Sequence, residues 1–309
     1  MSMMNMGADI HSTEYERTFW DVMRGKEANK IRLSSARDSL SGAFSLPHSD
    51  KLQCESAIKA KSVFRNLATV LSTDKASKIY AYDFDSLAAW IPEGTPILME
   101  DLEEDFEKLV LGYHKLTILT KVDNDFVFDA GFDFKSFLIK KLAKAFANAE
   151  DTAFVNGTGV NMPTGILADE GGADIGITTS SLSYEDIVKL YFSVDKEYRD
   201  RGIWMMNDET AQHLRTLKDE AGNYIWNQSS DTILGKRVVI CNAMPSVSSG
   251  AKPIVFGDFS YYWIVSRKPV AVRTLSEKFI ANNQTGYLAN EFMDARLIRS
   301  EAVKAVQIA

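Results

Sequence analysis

The sequence predicts an α+β protein, and three observations carry that expectation. A long amphipathic helix stands in mid-chain, where Asp133 can cap a run whose apolar residues Phe134, Leu138, Leu142, Ala145, Ala149 and Ala153 recur at steps of three and four. The last third is rich in short strand patterns: Arg237 to Cys241, Pro253 to Phe256, Tyr261 to Ser266, Val270 to Thr274, and a closing run from Phe292 to Ile308. Helices and strands do not alternate regularly, which argues against a doubly wound parallel sheet.

Taken in order, the first 50 or so residues are polar apart from one candidate helix at Glu14 to Arg24, with Tyr15, Phe19, Trp20 and Met23 at helical spacing. The rest of this part reads as an extended arm, so the aromatic cluster must bury against another part of the molecule or another subunit. In 72–98, Ser77 to Tyr82 reads as a strand, Asp83 to Ser86 as a turn and Leu87 to Ile91 as a returning strand, ended by Pro92, Gly94 and Pro96. An isolated two-stranded hairpin is marginal in water. This one carries Ile79, Tyr80, Tyr82, Phe84, Trp90 and Ile91, so it either folds onto its own domain, the simpler reading of the residues alone, or lies on a neighbour.

Leu109 to Asp123 alternates as a strand, and Asp123 to Gly131 reads as a turn. The central helix over 133–155 spans about 35 Å at the usual rise, with Lys135, Lys141, Lys144 and Asn148 on its polar side. A second helix is expected over 183–198, where Ser183 and Asp186 form an approximate capping box ahead of Ile187, Leu190, Tyr191, Val194 and Tyr198. A strand at Ile203 to Met206 and a helix from Asp208 to Leu217 follow.

Composition narrows the function. The 309 residues carry 42 acidic and 35 basic side chains, a formal charge of −7, with 45% hydrophobic residues. This is the balance of an ordinary globular protein, and not the basic one of a protein that grips DNA by its phosphates. No apolar run approaches the roughly 18 residues of a membrane span, and the N-terminus lacks the pattern of a secretory signal. Cys54 and Cys241 lie far apart and read as free thiols of a reducing compartment.

Catalytic and binding motifs are absent. In "NGTGVNMPTGIL", residues 156–167, Gly157 and Gly159 follow a helix rather than a strand, and no lysine succeeds them. A phosphate-cradling loop needs the opposite order, with a helix N-terminus aimed at the anion. The economical reading is a corner: Gly157 ends the helix in a left-handed conformation, Pro163 and Gly165 turn the chain, and Ile166 and Leu167 drop into the core. His11, His48, His114 and His213 are scattered without zinc spacing. No serine sits in a nucleophile elbow. The run Glu100, Asp101, Glu103, Glu104, Asp105, Glu107 reads as a solvated charged segment without the glycine and spacing of a calcium loop. No catalytic, cofactor-binding or metal-binding residue is assigned, and no enzyme is expected.

In order and spacing, several segments resemble the major capsid proteins of tailed bacteriophages, the Hong Kong 97 type of shell fold. "AEDTAFVNGTGVNMPTGIL" at 149–167 is the most specific. With it run "EYERTFWDVMRG" at 14–25, "FRNLATVL" at 64–71, "AAWIPEGTPI" at 88–97, "LGYHKLTILTKVDNDFVFD" at 111–129 and "VVICNAMP" at 238–245. Together they cover nearly the whole chain. The resemblance implies an N-terminal arm and the start of a peripheral domain over 1–71, an extended loop over 72–98, and the peripheral domain with a spine helix at 133–155 over 99–178. An axial domain over 179–275 and peripheral return strands over 276–309 complete it. On this reading the aromatics of the loop become contacts between subunits.

The same resemblance implies a non-catalytic function. Copies of the chain would meet as hexamers and pentamers in an icosahedral shell around double-stranded DNA, built in the host cytoplasm and ending in the virion. Scaffolding and portal proteins are the expected partners, with weak contact to DNA, no membrane and no cofactor. Many relatives begin with a scaffolding segment that a protease removes; none precedes "EYERTFW" here, so a separate scaffolding protein or a processed form is expected. Some relatives crosslink a loop lysine to a neighbour's asparagine, but Lys75, Lys78, Asn282, Asn283 and Asn290 give no residue-by-residue match. The alternatives are an encapsulin-type compartment, distinguished by its cargo, and a nucleotide-binding hydrolase using the loop from Asn156 to Gly165.

Overall fold

The computed structural model describes residues 9–26, 33, 42–73, 78–82, 106–110, 112–129, 131–218, 222–224, 226–227 and 230–309. Ser12 caps the first helix, α1 (Thr13–Met23), by accepting from the Tyr15 N–H, and the expected stripe of Tyr15, Phe19 and Met23 is buried. It buries within the same chain: the Tyr15 hydroxyl donates to the Ser45 carbonyl and the Tyr287 hydroxyl to that of Met23. Strand β1 (Phe44–Ser45), helix α2 (His48–Lys61), the single turn α3 (Phe64–Leu67) and β2 (Thr69–Ser72) follow. No periodicity announced α2, because its buried residues are only Asp50, Cys54 and Ile58, one per turn.

Next come β3 (Lys78–Tyr82), β4 (Phe106–Val110), β5 (His114–Asp123), α4 (Asn124–Phe128), the long α5 (Phe134–Asn156) and β6 (Asp174–Thr179). The expected turn over 123–131 thus contains a short helix, and the expected strand from Leu109 is two strands. Helices α6 (Tyr184–Ser193) and α7 (Lys196–Arg199) replace the single helix expected over 183–198; the Ser183–Asp186 capping box is present. Strand β7 (Ile203–Met206), helix α8 (Asp208–Thr216) and strands β8 (Trp226–Asn227), β9 (Thr232–Ile233), β10 (Lys236–Ile240) and β11 (Ile254–Gly257) lead to the long pair β12 (Tyr262–Leu275) and β13 (Gln284–Leu297), then β14 (Val303–Ile308).

Two large sheets organise these elements. One runs β1-β12-β13-β5, with β2 parallel to β12. Its backbone is the antiparallel β12–β13 hairpin, from Tyr262 opposite Leu297 to Leu275 opposite Gly286. The sequence suggested two strands in place of β12 because Lys268-Pro269 interrupts the pattern; register shifts around Lys268 absorb the proline, since a bulge frees the amide that proline lacks. The other sheet runs β6-β14-β11-β7-β10-β9-β8. Helices α6 and α8 share with it a core built on Leu190, Trp204, Leu214 and Phe256.

Helix α5 joins two cores. Asp133 caps it by accepting from the Ser136 N–H. Phe134, Leu138, Leu142 and Phe146 pack with α1 and the five-stranded sheet, and Phe154 and Val155 pack in a second core with Phe64, Tyr262 and Val303. The expected stripe needs correcting beyond Leu142: the buried residues are Ala143, Phe146, Ala147, Glu150, Asp151 and Phe154, whereas Ala145, Ala149 and Ala153 are half-buried. Steps of four overrun the 3.6-residue turn, so Ala153 lies roughly 100° around the helix from Phe134.

The corner after α5 forms as expected but by different geometry. Gly157 is extended, at φ −65° and ψ 144°, and not left-handed. The left-handed residues are Gly159 and Asn161, at φ 78° and 58°. Position 157 needs glycine for proximity, since a Cβ there would stand 2.1 Å from the Pro163 oxygen and 2.4 Å from that of Ala153. Ile166 is fully buried, its N–H donating to the Phe154 carbonyl at 2.7 Å. Gly157→Val should therefore lower stability by about 1–3 kcal/mol, the usual cost of overpacking, read as a lower melting temperature; an unchanged one would refute the tight contact.

Candidate assembly surfaces

Strands β3 and β4 form a two-stranded sheet of their own, from Lys78 opposite Val110 to Tyr82 opposite Phe106. In chain order they fall between β2 and β5, both strands of the five-stranded sheet, and this hairpin is termed the arm. The turn and returning strand expected at Asp83 to Ser86 and Leu87 to Ile91 are corrected in one respect: the strand at Lys78–Tyr82 takes Phe106–Val110 as its partner. The expected turn and returning strand fall within 83–105, which, with Trp90 and most of the acidic run, lies outside the described residues. Local turn signals favoured a tight hairpin, but pairing register is a non-local property.

A buried ionic cluster sits at the root of this arm. From α3, Arg65 donates through Nε and Nη2 to the two Glu150 oxygens of α5 at 2.6 and 2.7 Å, and through Nη2 to Glu291 Oε1 of β13 at 2.8 Å. All three side chains are under 10% exposed. Burial opposes the charge of Arg65, yet the two carboxylates hold its guanidinium protonated more firmly than usual. Beside it, Asp151 accepts from the Ser62 hydroxyl at 2.6 Å and from the N–H groups of Val63 and Phe64, which places a carboxylate at the start of α3. At the other end of α5, Lys135 pairs with Asp50 of α2 at 2.7 Å and with Glu16 of α1. The sequence signal that was available is that Glu150 and Asp151 continue the spacing of Ala143, Phe146 and Ala147.

The remaining singled-out residues form no catalytic arrangement. The fold brings His11 and His48 together, with ring centroids 4.3 Å apart, and sets His114 3.5 Å from Asp294, while His213 stays on α8. No group of three metal-ligating side chains occurs among the described residues. Cys54 and Cys241 are buried and unpaired, burial pushing their thiols up to about 12 and about 11. In the corner, the N–H groups of Gly159, Thr164, Gly165, Ile166 and Leu167 all donate to backbone carbonyls, so they are not free to cradle a phosphate.

The model of the phage capsid family matches residues 51–308. The chain belongs to the phage capsid family. Its fold is similar to a solved structure described as the capsid of a native GTA particle computed with C5 symmetry, at 25% identity and a TM-score of 0.63, covering 80% of this chain and 89% of that one. Structures from Microbacterium phage Oxtober96 and Gordonia phage Cozz share the fold at 15% and 12% identity, with TM-scores of 0.59 and 0.56. Each covers 81% of this chain, and 91% and 87% of its own. No curated protein matches.

The chain is thus a capsid shell subunit of the Hong Kong 97 type, an α+β fold, and its exposed apolar side chains mark places to look for contacts with other copies. Phe126 and Phe128 on α4 and Ile280 at the β12–β13 turn are exposed at one end of the five-stranded sheet, where Asn124 contacts Asn283. Phe192 is exposed on α6, with the Arg199 guanidinium stacked over its ring. No helix among the described residues is long and apolar enough to cross a membrane. At the arm root, Arg65→Ala should strand the buried carboxyl groups of Glu150 and Glu291 and cost about 3–5 kcal/mol of folding stability. Urea unfolding measures it, and a loss under about 1 kcal/mol would contradict the pairing.

Proposed function

We propose that many copies assemble, through rings of six and five, into an icosahedral shell around phage double-stranded DNA, with the β3–β4 arm lying on a neighbouring subunit. One observation carries this reading beyond family membership: the arm is a separate two-stranded sheet, and such a ribbon is marginal in water without a further layer. A neighbour supplies that layer. The corner from Asn156 to Gly165 serves as a packed joint and not a nucleotide site, and the chain acts structurally.

Sheet membership suggests how the subunit divides. We assign the five-stranded sheet with α1, α2 and α5 to a peripheral domain that includes β12. The seven-stranded sheet with α6 and α8, including β6 and β14, forms the axial domain that meets its copies around the symmetry axes. The boundary then falls near Tyr262, earlier in the chain than the expected 275. Scaffolding and portal proteins complete the assembly in the host cytoplasm. The net charge of −7 suits a wall that must let DNA slide inward, because tight phosphate contacts would oppose movement.

Electron microscopy of the purified protein, alone and with its scaffolding partner, tests this: closed particles, rings or tubes are expected, and a strictly monomeric protein under all assembly conditions would overturn it. Particle content, DNA or packaged protein, separates a virion from a cargo compartment. Trp90→Ala should leave the melting temperature unchanged and raise the protein concentration needed for assembly, since a buried aromatic anchor carries about 2 kcal/mol or more of interface energy. A subunit that unfolds instead would place Trp90 in its own core.

A further inference from the structure

The cluster at the arm root contains one carboxylate more than its cation can balance. Among the described residues, Arg65 is the cation that pairs with both Glu150 and Glu291. Glu150 takes two of the guanidinium's hydrogen bonds, and Glu291 accepts one on Oε1. The second oxygen, Glu291 Oε2, is buried without a hydrogen-bond partner. A buried carboxylate oxygen in that position is costly, but a carboxylic acid there can donate, and the Glu150 and Glu291 carboxyls meet at the same Arg65 Nη2.

We propose that the Glu150–Glu291 pair holds one proton at neutral pH, and that this proton clamps the α2–α3 segment at the root of the arm onto α5 and β13. With the proton in place the three side chains are neutral in sum. Without it, a net negative charge is confined among packed elements. On α2 and α5, no charged group among the described residues ion-pairs with Glu291. On α2, Glu55 brings a further negative charge to the groove that Glu291 lines, and burial, followed by the field of Glu291, keeps the Cys54 thiol neutral. Lys51 and Lys59 stand with Glu291 around an open groove of about 550 Å³ between α2 and the β2–β12 edge, and Lys51 is engaged by Glu55 at 3.7 Å. Asp151, also on α5, is spent on the start of α3.

The response to pH has a definite sign. Desolvation, with the Glu150 charge second, pushes Glu291 up to about 8, whereas the same side chain in an opened segment returns to the ordinary glutamate range. A group raised on closing stabilises the closed form fully at low pH and loses that contribution as pH rises toward its closed-state value. Opening of the α2–α3 segment should then release one proton between those limits. Because β2 leads directly from α3 into the arm, release of the clamp loosens the base from which the arm leaves; only that consequence rests on the proposed assembly.

Hydrogen exchange of the unassembled protein, corrected for intrinsic rates and followed at the amides of 62–68 from pH 5.5 to 9.5, tests the clamp. The opening equilibrium of the wild type should rise about tenfold per pH unit up to about 8 and then level, while Glu291→Gln, which keeps the neutral form, should lose that rise. A flat wild-type profile, or an equal slope in the variant, would overturn the proposal. If Glu291→Gln does not fold, Glu150→Gln replaces it. There Arg65 faces a single carboxylate, so a reduced slope supports the clamp and a full slope refutes it. Particle formation is scored separately, so failure of the clamp and failure of the shell reading remain distinguishable.

Discussion

Helix α5 reaches from one apolar core into another, and the placing of both sheets depends on that single rod. Its first four turns carry Phe134, Leu138, Leu142 and Phe146 against α1 and the five-stranded sheet; its last turn carries Phe154 and Val155 into the core shared with β11, β12 and β14. Between the two lies the charged step of Glu150 and Asp151, the point at which α3 and β13 are tied on. The rod therefore does two jobs. Its apolar faces hold the layers together, as close-packed interiors require, and its buried carboxylates fix where the chain turns away toward the arm.

That division of labour explains how a subunit can be self-sufficient in its body and unfinished in its arm. The body has three apolar clusters and two sheets whose strands are paired over long registers. The arm has two five-residue strands paired with each other and, among the described residues, no third strand. A protein meant to remain alone gains nothing from such a projection, which offers free sheet edges for association. On the proposed assembly, a neighbouring copy covers those edges.

Much of this was legible in the sequence, and the exceptions share a cause. The caps at Ser183 and Asp133 and strands such as Ile203–Met206 are local signals, and they appear where the pattern put them. The first strand of the hairpin was legible but its partner was not, because the pairing of Tyr82 with Phe106 crosses more than twenty residues without a local signature. Gly157 was recognised as necessary for the wrong reason: the sequence gives no view of the Pro163 carbonyl folding back onto it. The Arg65–Glu150–Glu291 cluster was hidden altogether, since its members lie 85 and 226 residues apart and a buried charge looks in sequence like a solvated one. Family resemblance filled the gap for the fold; it could not supply these side-chain partners.

The central claim is that the arm is completed by another copy of the chain. Hydrogen exchange at the amides of 78–82 and 106–110, compared between isolated subunits and assembled particles, tests it most directly. The account predicts weak protection in the isolated subunit and slowing by about tenfold or more on assembly, because a two-stranded ribbon opens locally at little cost until it is covered. Equal, strong protection in both states would mean that the hairpin is already packed within its own subunit, and would contradict the claim.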